Sequence, residues 1–211
     1  MEEYHKIQSI YKRDEGTHKF IEGQYSLPEF EYLKDNTWLF TEKIDGTNIR
    51  IGWIPEVGIN IGGRTDNAKI PTFLYQKLTE LFTNDKLKEM FPETSVMLCG
   101  EGYGAKIQKG GGNYIPNGVD FILFDVKIGD WWLKREDVND IAGKLDIKVV
   151  PFIGQGTLDD AVGIVKKGLL SEFGGFVAEG LVLRPSIELK SRSGHRIITK
   201  LKGKDFLPLA K

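Results

Sequence analysis

Cysteine is nearly absent from this sequence: Cys99 is the one thiol in 211 residues. It has no partner for an internal disulfide, and it excludes a zinc site built on paired cysteines. Long apolar runs are absent too. Nothing approaches the ~18 consecutive apolar residues needed to cross a bilayer, so no membrane partner is expected. The opening residues Met1-Glu2-Glu3-Tyr4-His5 lack the basic-then-apolar pattern of a signal peptide, and a cytoplasmic location is the expectation. There is no internal repeat and no low-complexity tract. An excess of one charge is also missing. A net charge of −1 gives no reason by itself to expect a nucleic-acid partner.

What is present is ordinary in amount and uneven in place. A chain that is 40% hydrophobic, 28% charged and 11% aromatic is a common soluble composition. Its length suits a single domain over residues 1–211 with a sizeable core. From Arg184 onward, eight Lys/Arg stand against two acids, Glu188 and Asp205. A basic C-terminal quarter is either a solvated surface or a phosphate-binding wall.

Strands are predicted at 37–43, 47–54 and 57–63, divided by Gly46 and by Pro55-Glu56. From Pro71, Phe73, Leu74, Leu78, Leu81 and Phe82 recur at helical spacing. A second helical piece is predicted around 85–91, then a strand at 95–101. The glycine-rich stretch 103–118 is predicted to be a loop. Its triple glycine is not a phosphate-binding P-loop, because no Gly-Lys-Ser/Thr opens a helix after it. Residues 119–128 (VDFILFDVKI) are apolar on both faces from Phe121 until Asp125 and predict a central strand. Helices are predicted at 135–145 and at 158–170, the latter with Thr157 as N-cap. Strands are predicted at 147–152, 176–184 and 195–201. Residues 1–36 carry little pattern. Hairpins with interspersed helices predict an α+β fold of largely antiparallel sheets flanked by helices.

Charged groups interrupt strands that otherwise belong to a core: Lys43, Glu101, Glu179, and Lys200 with Lys202. Each alone is more often a satisfied ion pair or an exposed face, because a buried charge is costly unless paired. Lys43 and Asp45 stand two residues apart, which on an extended segment is the same face. An amine so placed can be a covalent nucleophile if its surroundings hold it partly neutral. The bland alternative is a hairpin with a solvated ion pair across it. Together the set supplies an amine, two carboxylates for metal or ribose, and two ammonium groups for phosphates.

In order, these residues resemble the motifs of the covalent nucleotidyltransferase superfamily of polynucleotide ligases and capping enzymes. The resemblance is closest to the T4 RNA ligase 2-type RNA ligases, and it runs from Lys43 to Lys202. KIDGTN (43–48) resembles the nucleotidyl-lysine motif, and Gly63-Arg64 the next, a strand-end arginine. Leu98-Cys99-Gly100-Glu101 resembles the motif whose glutamate holds the ribose. Phe121–Val126 resembles the strand whose aromatic, here Phe124, stacks on the purine. Glu179-Gly180-Leu181-Val182 resembles the fourth motif, and Ile198-Thr199-Lys200-Leu201-Lys202 the fifth.

The resemblance implies an α+β nucleotidyltransferase (ATP-grasp-like) domain with the nucleotide between antiparallel sheets. It implies that Lys43 attacks the α-phosphate of ATP to form a lysyl–AMP. AMP then passes to an RNA 5′-phosphate, and a 3′-OH seals the strand. The implied catalytic residues are Lys43, Asp45, Glu179, Lys200 and Lys202. Glu42, Asn48, Arg64, Glu101 and Phe124 join Lys43, Glu179 and the two C-terminal lysines in binding nucleotide. Glu179 and Asp45 would hold Mg²⁺ or Mn²⁺. A lysine at its usual pKa of ~10.4 cannot attack at neutral pH; Lys200, Lys202, a cation and a dry pocket would favour the neutral amine. The same cations would offset charge on the phosphates.

The sequence ends nine residues after Lys202. Relatives of this type carry a C-terminal helical domain, and DNA ligases and capping enzymes an OB-fold. The expectation is therefore a minimal form, monomeric, with the basic C-terminal quarter as its RNA surface. The alternatives are a GTP-using capping-type transferase, a DNA ligase core, and a catalytically silent nucleotide- or RNA-binding module. Intact Lys43, Glu179, Lys200 and Lys202 argue against the silent module.

Overall fold

A computed structural model of the chain describes residues 1–206. The chain divides into two compact units: a first of Met1–His5 with Asp45–Val150, and a second of Lys6–Ile44 with the chain from Pro151 onward. Each has its own sheet and its own core. Among the described residues, no helix is long and apolar enough to cross a membrane.

The second unit holds a five-stranded sheet. Its order is β1 (Gln8–Ser9), β13 (Thr199–Lys202), β12 (Gly180–Pro185), β4 (Trp38–Lys43) and β11 (Phe152–Gly156). Only β1 and β13 run parallel; the other pairs are antiparallel. Alternation sends Trp38, Phe40, Leu181, Leu183 and Leu201 to one face. There they cluster with Leu158, Ala161, Val162 and Val165 of α6 (Leu158–Lys166), and with Ile10 and Phe30. The opposite face receives Lys43, Lys200 and Lys202.

Helix α6 begins where its sequence predicts. Thr157 Oγ1 accepts from the Asp160 amide while the Asp160 carboxylate accepts from the Thr157 amide, a complete capping box. It stops at Lys166 rather than at 170, because Gly168 turns with φ +87° and Leu170 bridges to Val177. The stretch without legible pattern also folds. β2 (Tyr11–Arg13) and β3 (Phe20–Tyr25) make a two-stranded ribbon, followed by α1 (Pro28–Tyr32). These elements are short and half exposed, so no period emerges from them.

In the first unit the sheet order is β10 (Lys148–Val149), β8 (Val119–Ile128), β7 (Val96–Gly104), β5 (Thr47–Ile54) and β6 (Gly58–Gly63). β9 (Trp131–Trp132) adds to β8. β10 is parallel to β8 and the remaining pairs are antiparallel. Ile49, Ile51 and Trp53 of β5, Leu98 of β7, and Leu123 and Val126 of β8 line one face. α2 (Thr72–Leu81), α3 (Asn84–Met90) and α5 (Arg135–Leu145) bring Leu74, Leu78, Leu87, Val138, Ile141 and Leu145 to it. Asn48, Arg50 and Glu101 take the other face by alternation. A β-bulge opposite Cys99–Gly100 leaves Phe124 without a cross-strand partner. Leu123 and Val126 both stay in the core, so Phe124 and Asp125 are both turned out of it.

The α+β, largely antiparallel expectation is met. The predicted strand at 147–152 is in fact two, β10 and β11, in different sheets. The break falls at Val150-Pro151, where proline has no N–H to continue a ladder. The glycine-rich stretch is not all loop: β7 continues to Gly104, and α4 (Gly111–Tyr114) forms one turn.

Candidate active site

β12 lies between β4 and β13, and its register sets Lys43 and Lys202 opposite Gly180 from its two sides. Both lysines therefore reach the preceding carboxylate. Lys43 Nζ lies 2.6 Å from Glu179 Oε2, and Lys202 Nζ lies 2.6 Å from Oε1. The approach depends on the glycine. A Cβ on Gly180 would stand 1.9 Å from the Leu201 carbonyl oxygen, so any side chain would push β13 away. Lys200 shares the face of Lys202 and is half buried. It has no ion-pair partner among the described residues.

Burial alone would raise the Glu179 carboxyl. The charge of Lys43 and the hydrogen bonds of Lys202 and Lys43 outweigh it and hold Glu179 below the usual carboxylate range. Lys200 is pushed down, first by burial and then by the charges of Lys202 and Lys43; Glu179 offsets this only in part. Three ammonium groups thus share one carboxylate. Lys200 and Lys202 also wall a hollow with Lys6, Gln8, Ser9 and Lys204. Arg13, at its margin, is paired with Asp205 at 2.7 Å. The surplus of positive charge, half withdrawn from water, suits an anion.

Glu42 is placed apart from this group. One residue before Lys43 on β4, it falls on the opposite, α6-facing side and is 1% exposed. Its oxygens accept from Ser171 Oγ at 2.6 Å and the Glu172 amide at 3.0 Å. It ties the segment leading to Glu179 onto β4. β4 ends at Lys43 and a bend follows at 45–46, so strand alternation does not set where Asp45 points.

The remaining residues belong to the first unit. Asn48 and Glu101 are cross-strand neighbours on β5 and β7. Asn48 Oδ1 is buried and finds no hydrogen-bond donor among the described residues. Such an orphan is costly unless a ligand supplies the donor. Gly46 is required by crowding, since a Cβ there would meet the Gly102 carbonyl oxygen at 2.4 Å. The glycine-rich stretch folds back on the same turn. Gln108 Nε2 donates to the Gly46 carbonyl at 3.1 Å, and the Asp45 amide donates to Tyr114 Oη at 3.3 Å. Arg64 follows β6 with its side chain exposed. Phe124, at the bulge, packs edge-on against Tyr4 with centroids 5.3 Å apart.

Tyr4 and Arg50 are the two residues here that sequence reading passes over. Tyr4 lies in a stretch without pattern. Arg50 alternates with Ile49 and Ile51 and so looks like an outward-facing charge, yet it is fully buried. Its one signal is a charge in the middle of an apolar strand on the same face as Asn48. No group of three or more His, Cys, Asp or Glu among the described residues forms a ready metal cage.

The fold is of the nucleotidyltransferase type found in solved RNA ligases. More narrowly, the chain belongs to the RNA ligase family, whose model matches residues 36–202. Among solved structures it is similar to RNA ligase from Naegleria gruberi. An apo aspartate-to-alanine variant superposes with a TM-score of 0.70 at 17% identity, covering 95% of this chain and 56% of that one. A lysine-to-alanine variant with ATP and Mn gives 0.70 at 17%, covering 96% and 56%. The ligase with PPi gives 0.69 at 19%, again covering 96% and 56%. At such identity the likeness is one of fold, and this chain spans little more than half the length of those proteins. A comparison with curated proteins finds no match.

Proposed function

We propose that this chain is an ATP-dependent RNA ligase acting through a lysyl–AMP on Lys43. The observation that carries the reading is the cluster on β4, β12 and β13. Lys43 Nζ is held 2.6 Å from Glu179, beside Lys202 and a half-buried, unpaired Lys200, in a chain of the RNA ligase family. The similar Naegleria structures with ATP and Mn and with PPi support ATP as substrate and pyrophosphate as leaving group.

Glu179 stays ionised at neutral pH, so its part is to position Nζ rather than to store a proton. Attack requires Nζ to be released from Glu179 and to lose its proton to solvent. The nitrogen lone pair then forms a bond to the α-phosphorus. The bond from that phosphorus to the bridging oxygen breaks, and pyrophosphate leaves with the electron pair. Lys200 and Lys202 offset the charge that builds on the phosphates. In the second step an oxygen of an RNA 5′-phosphate attacks the same phosphorus, and the N–P bond breaks as Lys43 regains a proton. In the third a 3′-OH attacks the adenylated 5′-phosphate, loses its proton and expels AMP.

Phe124 would stack on the purine and Glu101 accept from the ribose. The orphaned Asn48 Oδ1 would accept a hydroxyl from nucleotide or RNA, and Arg64 would pair with a phosphate. Glu42 would act through the Ser171–Glu172 turn that it ties down. The carboxylates suit a hard cation that keeps water and phosphate oxygens as most of its ligands. Glu179 and Asp45 would hold Mg²⁺ or Mn²⁺, which when bound supplies Lewis-acid stabilisation of phosphate charge.

The test is incubation of wild type and Lys43→Ala with Mg²⁺ and α-labelled ATP, or α-labelled GTP, followed by denaturing gel and acid treatment. Acid-labile label from ATP on wild type alone is the expected result. Label from GTP in its place would turn the reading toward a capping-type transferase. No label from either nucleotide would overturn it in favour of a binding module.

A further inference from the structure

We infer that residues Met1–His5 form a positioning strap for the nucleotide-facing side of the first unit, with Arg50 as its clasp and Tyr4 as the residue through which it acts. The inference rests on the proposed roles of Phe124 and Arg64.

Arg50 sits in the middle of β5, 0% exposed, on the face away from the helix-covered core. A guanidinium is tolerated there only if its N–H groups are taken. Nε donates to the Gly63 carbonyl, and Nη1 to the carbonyls of Met1 (3.1 Å) and Glu2. Nη2 donates to Asp66 at 2.9 Å. One side chain thus binds the first two residues of the strap and both sides of the turn that carries Arg64. Other contacts fasten the segment along its length. Glu3 accepts from the Asp66 amide at 3.1 Å, the Tyr4 amide donates to the Arg64 carbonyl at 3.1 Å, and Glu2 pairs with Lys127 of β8. The strap therefore connects the end of β6 to β8, although β5 and β7 separate those strands in the sheet.

At β8, Tyr4 meets both residues that the bulge turns out of the core. Its ring lies 5.3 Å from Phe124 at 63°, and its hydroxyl donates to Asp125 Oδ2 at 2.7 Å. Tyr4 and Asp125 are 3% and 2% exposed. An edge-to-face partner fixes the plane of the Phe124 ring. A ring fixed in advance costs a stacking base less ordering than one that must be immobilised on binding. A bulge has no ladder partner to hold it, so the strap supplies the restraint.

The experiment compares self-labelling kinetics and melting of wild type, Tyr4→Ala and Tyr4→Phe, with ATP and with CTP as donors. For Tyr4→Ala the KM for ATP should rise about tenfold, the size of one lost base–aromatic contact. Its maximal rate should stay within about twofold, and its preference for ATP over CTP should narrow. Tyr4→Phe keeps the ring and loses the Asp125 bond; it should return KM and base preference toward wild type while melting lower. Arg50→Lys keeps the charge without the fork and should shift KM in the same direction as Tyr4→Ala. A folded Tyr4→Ala with wild-type KM and base preference would overturn the strap while leaving the ligase reading intact. Wild type that neither labels with ATP nor binds it by calorimetry would overturn both.

Discussion

Lys200 shows how one residue can be poorly placed for stability and well placed for binding. Burial and two neighbouring ammonium groups push its pKa below the ordinary 10.5. Between its folded value and 10.5 the unfolded chain binds more protons, so this group makes stability rise with pH across that window. Below the window it is charged in both states, and its repulsion acts in full. Lys200→Met should therefore melt about 1–2 °C higher at neutral pH, solvent screening keeping the gain small. It should lose the alkaline rise and label far more slowly with ATP. For Glu179 the slope runs the same way, but here the charged form is the stabilising one. Its folded pKa lies below the 4.5 of a free glutamate, so its contribution is complete above that pH and is lost as pH falls through the folded value. Glu179→Gln leaves three ammonium groups without a counter-charge. Labelling should fall about 10²–10³-fold, the size of losing one charge-stabilising group. The melting difference from wild type should be constant above pH 4.5 and shrink below it. The cluster was legible in sequence because charges interrupt apolar strands at Lys43, Glu179, Lys200 and Lys202. Arg50 was not, because two-residue alternation cannot distinguish a solvated charge from one buried under a segment distant in sequence.

At the scale of elements, the close packing of β12 and β13 is more consequential for labelling than the cap of a helix. Gly180→Ala would set a methyl 1.9 Å from the Leu201 carbonyl and force apart the strands that carry Glu179 and Lys202. Thr157→Ala would remove the capping box of α6, which lies on the other face of the sheet. The second change should cost about 1 kcal/mol and lower the melting point by about 2–4 °C, with ATP labelling unchanged. The first should depress labelling by more than its melting loss explains. Unequal effects in that direction on a gel and a thermal scan would confirm the ordering; labelling retained in Gly180→Ala would refute it. The long elements were legible because they repeat: β5, β8, α2 and α5 each hold several periods of one pattern. β1, β2 and β10 hold one period or less. The division at Val150-Pro151 was missed because residues 147–152 are a mostly apolar run of strand length. Proline is tolerated at a strand's first residue or on an edge, so Pro151 alone does not show that β10 and β11 join different sheets.

At the scale of the whole molecule, the uneven charge along the sequence becomes a local feature in space. The basic quarter from Arg184 onward is not uniformly available. Arg196 is paired with Glu188 at 2.6 Å, and Lys202 with Glu179. The groups that remain around Lys200 include Lys6, from a part of the chain with little legible pattern, and Lys204. The basic surface is thus assembled from both ends of the second unit's sequence, which no tally along the chain could show. If this wall holds RNA phosphates, each cation that neutralises one releases a counterion, and log K should fall with log salt by about 0.7 per contact on a single strand. Lys6→Ala and Lys204→Ala lie outside the Lys43–Glu179–Lys202 cluster and should leave labelling with ATP near wild type. Each should weaken binding of a 5′-phosphorylated RNA strand and reduce the salt slope by about 0.7. Filter binding of the three proteins across a series of NaCl concentrations measures both quantities. Binding that weakens without any change of slope would mean the lysines shape the hollow rather than touch phosphate. Binding insensitive to salt in wild type would place the RNA elsewhere on the protein.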